Sequence, residues 1–294
     1  MKKIAIIGAG RIGNALEKIL AKAGNSVSKW DKDPQRCGSG DISSVVSGAD
    51  FLFLCVPSWG FREAVESVKP DFDPKTIIVS LTKGIEETSF KTADALLEEI
   101  LPKNQAYLIL GGPLIAENIA KDEIGIGVAS SKKKRDFESL AKLFNGTNIF
   151  LEYSPNPASV ALAGVLKNIY ATLAGIAEGI GMNGNFSGYL VSKSIQEMAK
   201  ISLALCGEKE TALGTSGVGD FIATSFSENS KNRSSGIEIA KSNPIPKSEG
   251  IVSLPLLNKK LGKDAKDFKL LFALTDIIEN KKDPKTALMD LLLY

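Results

Sequence analysis

Short apolar runs alternate with amphipathic stretches along the first half of the chain. Runs rich in β-branched and aromatic residues predict strands at Ile4–Ile7, Ser26–Trp30, Phe51–Val56, Thr76–Ser80, Tyr107–Leu110, Ile124–Ala129 and Asn148–Leu151. The intervening stretches predict helices, among them Ile12–Ala23, Ser89–Ile100 and Lys134–Phe144. Strands that alternate with helices form βαβ units, so we predict an α/β domain whose parallel sheet is covered on both faces.

The pattern changes near Pro155, where strand-like runs give way to helical ones. The predicted helices are Ala158–Gly181, Ser187–Cys206, Glu210–Leu213, Ser235–Ala240, Ile251–Leu256, Asp267–Glu279 and Pro284–Leu293. A Gly/Ser-rich interruption separates the third from the fourth. We therefore predict two domains, an α/β domain over residues 1–155 and an all-helical domain over residues 156–294.

Composition narrows the function classes. Lys plus Arg total 36 against 34 for Asp plus Glu, and this near balance argues against a nucleic-acid-binding surface. The three cysteines are widely spaced and histidine is absent, so the sequence offers no zinc-ligand cluster and we expect no metal. No apolar run is long and continuous enough to suggest membrane insertion, and a reduced, soluble, cytoplasmic protein is the expectation.

A glycine-rich segment, Gly8-Ala-Gly-Arg-Ile-Gly13, joins the first predicted strand to the first helix. In dinucleotide-binding folds the first glycine permits a tight turn, the second lets the backbone approach a pyrophosphate, and the third allows close helix packing. Asp31, at the end of the second strand, is placed to accept a hydrogen bond from a ribose 2′-hydroxyl, which favours NAD. Nearby cations offer the opposite reading, neutralisation of the 2′-phosphate of NADP: Lys29, Lys32 and Arg36.

Three more loops follow predicted strands, where open α/β sheets bind ligands. They are Val56-Pro-Ser58, Lys83-Gly-Ile-Glu86 and Gly111-Gly-Pro-Leu-Ile-Ala-Glu117. Three such loops at one sheet edge, one of them bringing a lysine, predict a site there.

Lys167 is the single charge in the long small-residue apolar run 161–177. Burial disfavours the ammonium form and lowers its pKa toward a range useful for proton transfer. The alternative is that Lys167 extends its ammonium to solvent and only solubilises the helix. Because the chain has no histidine, acid–base chemistry must use other side chains.

Two polar segments in the second half complete the candidate chemistry. Ser216–Thr224 supplies glycines, hydroxyls and the carboxylate of Asp220. Asn229–Arg233 supplies two cations, Lys231 and Arg233, suited to a phosphate through charge-assisted hydrogen bonds. The alternative for this second segment is an ordinary polar surface loop.

Together these motifs resemble the NAD(P)-dependent glycerol-3-phosphate dehydrogenase family over nearly the whole chain. The resemblance rests on the glycine-rich loop, the three sheet-edge loops, Gly164-Val-Leu-Lys-Asn168, Gly217-Val-Gly-Asp220 with Thr224, Ser230-Lys-Asn232 and Glu249-Gly250. It implies a Rossmann-like, doubly wound sheet followed by an all-α C-terminal domain, with the site in the cleft between them. It also implies hydride transfer between NAD or NADP and C2 of dihydroxyacetone phosphate or sn-glycerol 3-phosphate, supplying glycerol 3-phosphate for phospholipid synthesis.

The resemblance assigns roles to individual residues. The implied catalytic residues are Lys167, Lys83 and Asp220. The implied cofactor-binding residues are Gly8, Gly10, Arg11, Ile12, Gly13, Asp31, Lys32, Pro57, Lys83, Ala116, Lys231 and Glu249. The implied substrate-binding residues are Lys83, Gly112, Lys167, Asp220, Thr224, Ser230, Lys231 and Asn232. The partner is a small phosphorylated three-carbon substrate, and a homodimer is expected because such dehydrogenases commonly form one.

Three departures from the family pattern bear on substrate and cofactor. Lys231 stands where the family has an arginine, which loses the planar fork that binds two phosphate oxygens, although Arg233 follows as a second cation. Leu114 replaces a small hydroxyl residue, and the segment from Asp33 to Asp50 is short. These keep open a related two-domain dehydrogenase acting on another small hydroxy acid or sugar phosphate. A cofactor-binding regulator without turnover is the third reading.

Overall fold

The structure is a computed structural model that describes residues 1–37, 40–71, 73–182 and 184–293. Its sheet has seven strands in the described residues: β1 Lys3–Ile7, β2 Ser26–Trp30, β3 Phe51–Leu54, β4 Ile77–Ser80, β5 Tyr107–Gly111, β6 Gly125–Ser130 and β7 Ile149–Ser154. Each overlaps a strand predicted from the apolar pattern, so the α/β prediction is confirmed.

The sheet order is β2-β1-β3-β4-β5-β6-β7. Strands β1 to β5 are parallel, as predicted, but β6 pairs antiparallel with β5, and β7 is parallel to β6. The predicted parallel arrangement is therefore confirmed for β1 to β5, whereas β6 and β7 at one edge run in the opposite direction. The chain leaves β5 through a short connection holding a four-residue helix and re-enters the sheet from the same end, since no crossover returns it to the other end.

Helices cover both faces of the sheet and form the second half of the chain. Those of the first half are α1 Arg11–Lys22, α2 Pro34–Cys37, α3 Ile42–Val46, α4 Phe61–Val68, α5 Ala93–Ile100, α6 Ala116–Ile119 and α7 Lys134–Ala141. Those of the second half are α8 Pro157–Gly179, α9 Gly184–Cys206, α10 Glu210–Leu213, α11 Asp220–Phe226, α12 Lys231–Ala240, α13 Glu249–Leu261, α14 Lys269–Ile278 and α15 Pro284–Asp290. One apolar core joins the sheet to α1 and α7, and another joins it to α4, α5 and the start of α8.

Helix α8 is the centre of the helical half. By length and composition alone it could cross a membrane, but 94% of its most apolar window is buried inside the protein. It is therefore a core helix, wrapped by α9, α11, α12 and α13. Small residues allow α12 to approach it closely, because a Cβ on Gly175 would lie 2.1 Å from the carbonyl oxygen of Arg233.

The Gly/Ser-rich stretch after α10 is helical, which corrects the predicted interruption. A π-type turn over Thr215–Gly219 leads directly into α11. Gly217 is needed in that turn, since a Cβ there would lie 1.9 Å from the carbonyl oxygen of Ala212. Tertiary packing thus overrides the weak helix propensity of glycine, serine and threonine, and it places Asp220 at the start of a helix facing α8.

Candidate active site

The glycine-rich loop adopts the geometry that its spacing predicts. Gly8 has φ +104°, and a Cβ there would lie 2.6 Å from the carbonyl oxygen of Cys55. A Cβ on Gly13 would lie 1.9 Å from the carbonyl oxygen of Gly8, so only glycine lets α1 start so close to β1. A Cβ on Gly10 would instead meet one atom, the Arg36 Nη1, at 4.0 Å. The backbone at Gly10 is thus open to an approaching ligand.

This loop lines one end of a cleft of about 890 Å³ between the sheet edge and the helical half. Most of the residues predicted for the site line that cleft: Gly8, Gly10, Arg11, Ile12, Asp31, Lys32, Pro57, Lys83, Ala116, Lys167, Asp220, Thr224, Ser230, Lys231, Asn232 and Glu249. Gly13 and Gly112 are not among the lining residues. Gly13 acts through packing, and Gly112 presents its carbonyl oxygen to the Lys83 Nζ at 3.0 Å.

A compact charge cluster lies at the helical side of the cleft. The Lys167 Nζ is 3.1 Å from Asp220 Oδ1, and the Lys83 Nζ donates to Asp220 Oδ2 at 2.5 Å. Lys167 also donates to Thr224 Oγ1 at 2.8 Å, and this hydroxyl donates to Asp220 Oδ1 at 3.2 Å. A single buried carboxylate therefore holds both lysines, brought together from α8 and from the loop after β4.

The electrostatics of the cluster favour proton transfer by Lys167. Its side chain is only 9% exposed, and this burial lowers its pKa to about 8, with Asp220 opposing the shift and Lys83 adding to it. For Asp220, burial alone would raise the pKa, but the two neighbouring ammonium groups outweigh burial and hold it below its ordinary value. Near neutral pH the cluster thus contains an ionised carboxylate and a lysine that can both donate and accept a proton.

Asn168, which is not among the predicted site residues, holds the backbone of Lys83 and the side chain of Asn232 in place beside the charge cluster. Its Nδ2 donates to the Lys83 carbonyl oxygen at 2.9 Å, and its Oδ1 accepts from Asn232 Nδ2 at 2.8 Å. Asn232 in turn accepts from the Gly250 N–H at 2.9 Å. This chain of amides links four segments of the cleft. In the sequence, the position of Asn168 directly after Lys167 is the feature that indicates a role for it in the site.

Glu249 connects the two halves of the chain across the cleft. It accepts hydrogen bonds from the Ser58 backbone N–H at 2.8 Å and from the Ser58 hydroxyl at 2.7 Å. Burial raises its pKa to about 6, although the Ser58 bonds act in the opposite direction. Next to it, the Lys247 Nζ lies 4.3 Å above the Trp59 ring. Both contacts join residues far apart in the chain, and the Lys247–Trp59 contact has no signal in the sequence.

The N-terminus of α12 faces the cleft and is a candidate anion site. Ser230 caps this helix by accepting from the Arg233 N–H at 3.2 Å, and exposed Lys231 lies in its first turn. The positive end of the helix dipole and a lysine suit a phosphate. Arg233 does not reach this site, because its guanidinium is paired with both carboxylate oxygens of Glu178. The expectation that Arg233 supplements Lys231 is therefore wrong.

Leu114 contributes an apolar wall rather than a hydrogen bond. Its side chain packs over glycines of β6, since a Cβ on Gly125 or Gly127 would lie 3.0 or 3.2 Å from its methyl groups. It also lines the cleft. The volume that a leucine adds here is thus accommodated by the absence of side chains on the neighbouring strand.

The residues present fit a nicotinamide dinucleotide. Gly10 leaves its backbone approachable, the N-terminus of α1 follows directly, and the glycine-rich turn carries no side chain that would fill the pyrophosphate position. From that loop the cleft runs past Pro57 and Thr82 to Lys167. It therefore joins a backbone suited to a pyrophosphate at one end to the cluster of Lys83, Lys167 and Asp220 at the other.

Comparison with known proteins agrees with this architecture. The models of the NAD-dependent glycerol-3-phosphate dehydrogenase N-terminus and C-terminus match residues 37–136 and 156–289. Glycerol-3-phosphate dehydrogenase (NAD(P)+) of Carboxydothermus hydrogenoformans is 30% identical over 277 residues, which cover 86% of this chain and 82% of that protein. The enzyme of the same name from Syntrophotalea carbinolica is 28% identical over 98% of this chain and 97% of its own length.

Solved structures show the same fold. The crystal structure of glycerol-3-phosphate dehydrogenase from Coxiella burnetii aligns with a TM-score of 0.91 at 24% identity, covering 100% of this chain and 99% of that one. A PanE/ApbA family ketopantoate reductase from Ralstonia eutropha aligns with a TM-score of 0.62 at 21% identity, covering 95% and 98%. With both family models matched across most of its length, the chain belongs to the NAD-dependent glycerol-3-phosphate dehydrogenase family of oxidoreductases.

Proposed function

We propose that this protein catalyses reversible hydride transfer between NAD(P)(H) and C2 of dihydroxyacetone phosphate, forming sn-glycerol 3-phosphate. The observation that carries the proposal is the position of Lys167. It is a buried lysine with a pKa of about 8, ion-paired to Asp220, and it lines the same cleft as the dinucleotide loop and the α12 anion site.

In this proposal each residue has a definite task. The bound cofactor supplies or accepts the hydride. In reduction, the Lys167 ammonium donates a proton to the oxygen developing on C2; in oxidation, the neutral amine removes it. Lys83 polarises that oxygen or holds the phosphate, and Asp220 fixes the spacing of the two lysines. Thr224 orients the Lys167 Nζ through its hydroxyl.

The substrate phosphate is assigned to the N-terminus of α12. Ser230 and Lys231 meet it there, while Asn232 holds this turn against Asn168. Lysine binds a phosphate as a point charge without the two-pronged geometry of arginine. We therefore expect this anion site to discriminate weakly among small phosphate esters and to respond strongly to salt.

We further propose that residues 1–155 bind the cofactor and residues 156–294 provide most of the substrate and proton-transfer groups. The protein acts in the cytoplasm as a homodimer and supplies glycerol 3-phosphate for phospholipid synthesis. The wrapped, buried state of α8 supports a soluble enzyme.

The test is a steady-state assay of NADH and NADPH oxidation with dihydroxyacetone phosphate. Two competing carbonyls serve as comparisons: 2-ketopantoate and unphosphorylated dihydroxyacetone. We expect turnover that requires the phosphate, and Lys167→Ala should lower kcat by about 10²–10⁴-fold with cofactor affinity retained. Faster turnover of 2-ketopantoate, or near-normal activity in the variant, would contradict the proposal.

A further inference from the structure

A group of charged side chains lies at and near the cleft rim beside the glycine-rich loop. Asp31 lies there at the C-terminal end of β2, directly next to β1 and its loop. Its Oδ2 accepts from the Ala9 N–H at 2.7 Å, and its Oδ1 accepts from the Asp33 N–H at 2.9 Å. These two bonds fix the carboxylate against the loop, and its oxygens can accept further hydrogen bonds at this position in the cleft lining.

Three cations near this rim are candidates for a 2′-phosphate, and a carboxylate already pairs with each. The Lys29 Nζ lies 2.5 Å from Glu17 and, of the three, is the one that does not line the cleft. The Lys32 Nζ lies 2.6 Å from Glu63. The third cation is the Arg36 guanidinium.

Arg36 is shared between two carboxylates. It lies 3.6 Å from Asp31 and 3.5 Å from Asp33. Three cations are thus paired with four carboxylates, and the net charge of this group of described residues is −1. The carboxylates are Glu17, Asp31, Asp33 and Glu63. A dianionic 2′-phosphate arriving here would meet Asp31 at close range without an unpaired cation to receive it.

From this arrangement we propose that the protein uses NAD(H) in preference to NADP(H), with Asp31 as the specificity-determining residue. The inference rests on the proposed function, because it specifies the cofactor of that reaction. A ribose 2′-hydroxyl donates to the Asp31 carboxylate, whereas a 2′-phosphate is repelled by it. A like charge a few ångströms away in a partly screened site corresponds to about 10- to 100-fold in affinity.

The experiment measures binding of NADH and NADPH separately, by fluorescence titration without substrate, so that it does not depend on turnover. The wild type should bind NADH at least about tenfold more tightly than NADPH. Asp31→Asn should narrow this ratio by about tenfold, chiefly by improving NADPH. Asp264→Asn makes the same charge change at an exposed position that does not line the cleft and should leave the ratio unaltered.

A second variant keeps the test valid if Asp31→Asn does not fold. Glu63→Gln leaves Asp31 in place and releases the exposed Lys32, so NADPH affinity should improve by up to about fivefold. Equal or tighter binding of NADPH by the wild type would overturn the inference. A folded Asp31→Asn variant with the wild-type ratio of NADH to NADPH affinity would also overturn it. If Asp31→Asn does not fold, an unchanged NADPH affinity in Glu63→Gln would overturn it instead.

The two proposals fail in different ways. Reduction of dihydroxyacetone phosphate at equal efficiency with both cofactors would refute the cofactor preference and leave the reaction standing. Tight NADH binding with no reduction of dihydroxyacetone phosphate would refute the reaction and leave the preference standing.

Discussion

Replacing Asp220 by asparagine should shift the pH dependence of catalysis. Asp220 is the carboxylate that raises the Lys167 pKa against burial, and the two groups are 3.1 Å apart. An opposite charge at such a distance is worth about 1–3 pKa units. Without it, and with Lys83 still repelling the ammonium, the Lys167 pKa should fall from about 8 to roughly 5–7.

The sign of the effect follows from which form of Lys167 is needed. Reduction requires the ammonium, so kcat falls as pH rises through the Lys167 pKa. At pH 7.5 a group with a pKa of about 8 is about three-quarters protonated, whereas at a pKa of 7 or below it is about one-quarter protonated or less. Asp220→Asn should therefore lower kcat for reduction at least about threefold at pH 7.5 and move its basic limb down by 1–3 units.

The assay is a pH profile of kcat in both directions, read with a matched buried control. Asp94→Asn also removes a buried carboxylate, which lies in the first turn of α5, accepts a hydrogen bond from the Thr92 hydroxyl at 2.6 Å and does not line the cleft. It should leave the pH profile of kcat where it is in the wild type. A basic limb that stays in place in Asp220→Asn, or that moves equally in Asp94→Asn, would refute the proposed coupling between Asp220 and Lys167.

Three further predictions use other parts of the cleft. Gly10→Ala should weaken NADH binding at least about tenfold while its urea unfolding midpoint stays at the wild-type value, since its Cβ meets no protein atom closer than 4.0 Å. Gly13→Ala places a Cβ 1.9 Å from a carbonyl oxygen and should lower both the NADH affinity and the urea unfolding midpoint. Because the Glu249 pKa is raised to about 6 in the folded protein, its stabilising effect is present below pH 4.5 and is lost as pH rises through 6. Glu249→Gln should therefore remove about 2 kcal/mol from the pH dependence of the free energy of unfolding, measured by urea denaturation at a series of pH values. The same pH dependence in the variant as in the wild type would contradict this. Because the Lys167 pKa is lowered to about 8 in the folded protein, the free energy of unfolding should rise by about 3 kcal/mol between pH 8 and 10.5, and Lys167→Met should remove this rise; a pH dependence that persists unchanged in the variant would contradict this.

Much of the fold follows from local pattern. The seven strands follow from apolar runs that must be buried on both faces, and the long α8 follows from an uninterrupted run of small and apolar residues. The direction of β6 does not follow, because strand direction depends on which end of the sheet a connection reaches. Helix α11 was also missed, since its glycines and hydroxyl residues favour a loop until packing against α8 is included.

The candidate site divides in the same way. The glycine-rich loop and the buried Lys167 are local signals, each carried by residues a few positions apart. The ion pairs that Arg11 makes with Glu117 and Arg233 makes with Glu178 have no local signal, because a cation binds whichever carboxylate the fold brings near. Arg233 pairs with Glu178 across the close contact of α8 and α12, and the spacing of these two residues in the sequence does not predict the pair. The Ser58–Glu249 contact spans 191 residues and likewise depends on the assembled cleft.

The central claim, hydride transfer to C2 of dihydroxyacetone phosphate, is tested most directly by an isotope measurement. The wild-type enzyme is incubated with dihydroxyacetone phosphate and NADH deuterated on both C4 positions, and the product is analysed by mass spectrometry and NMR. We predict sn-glycerol 3-phosphate with one deuterium bound to C2. Oxidised cofactor without deuterium on C2 of glycerol 3-phosphate would contradict it.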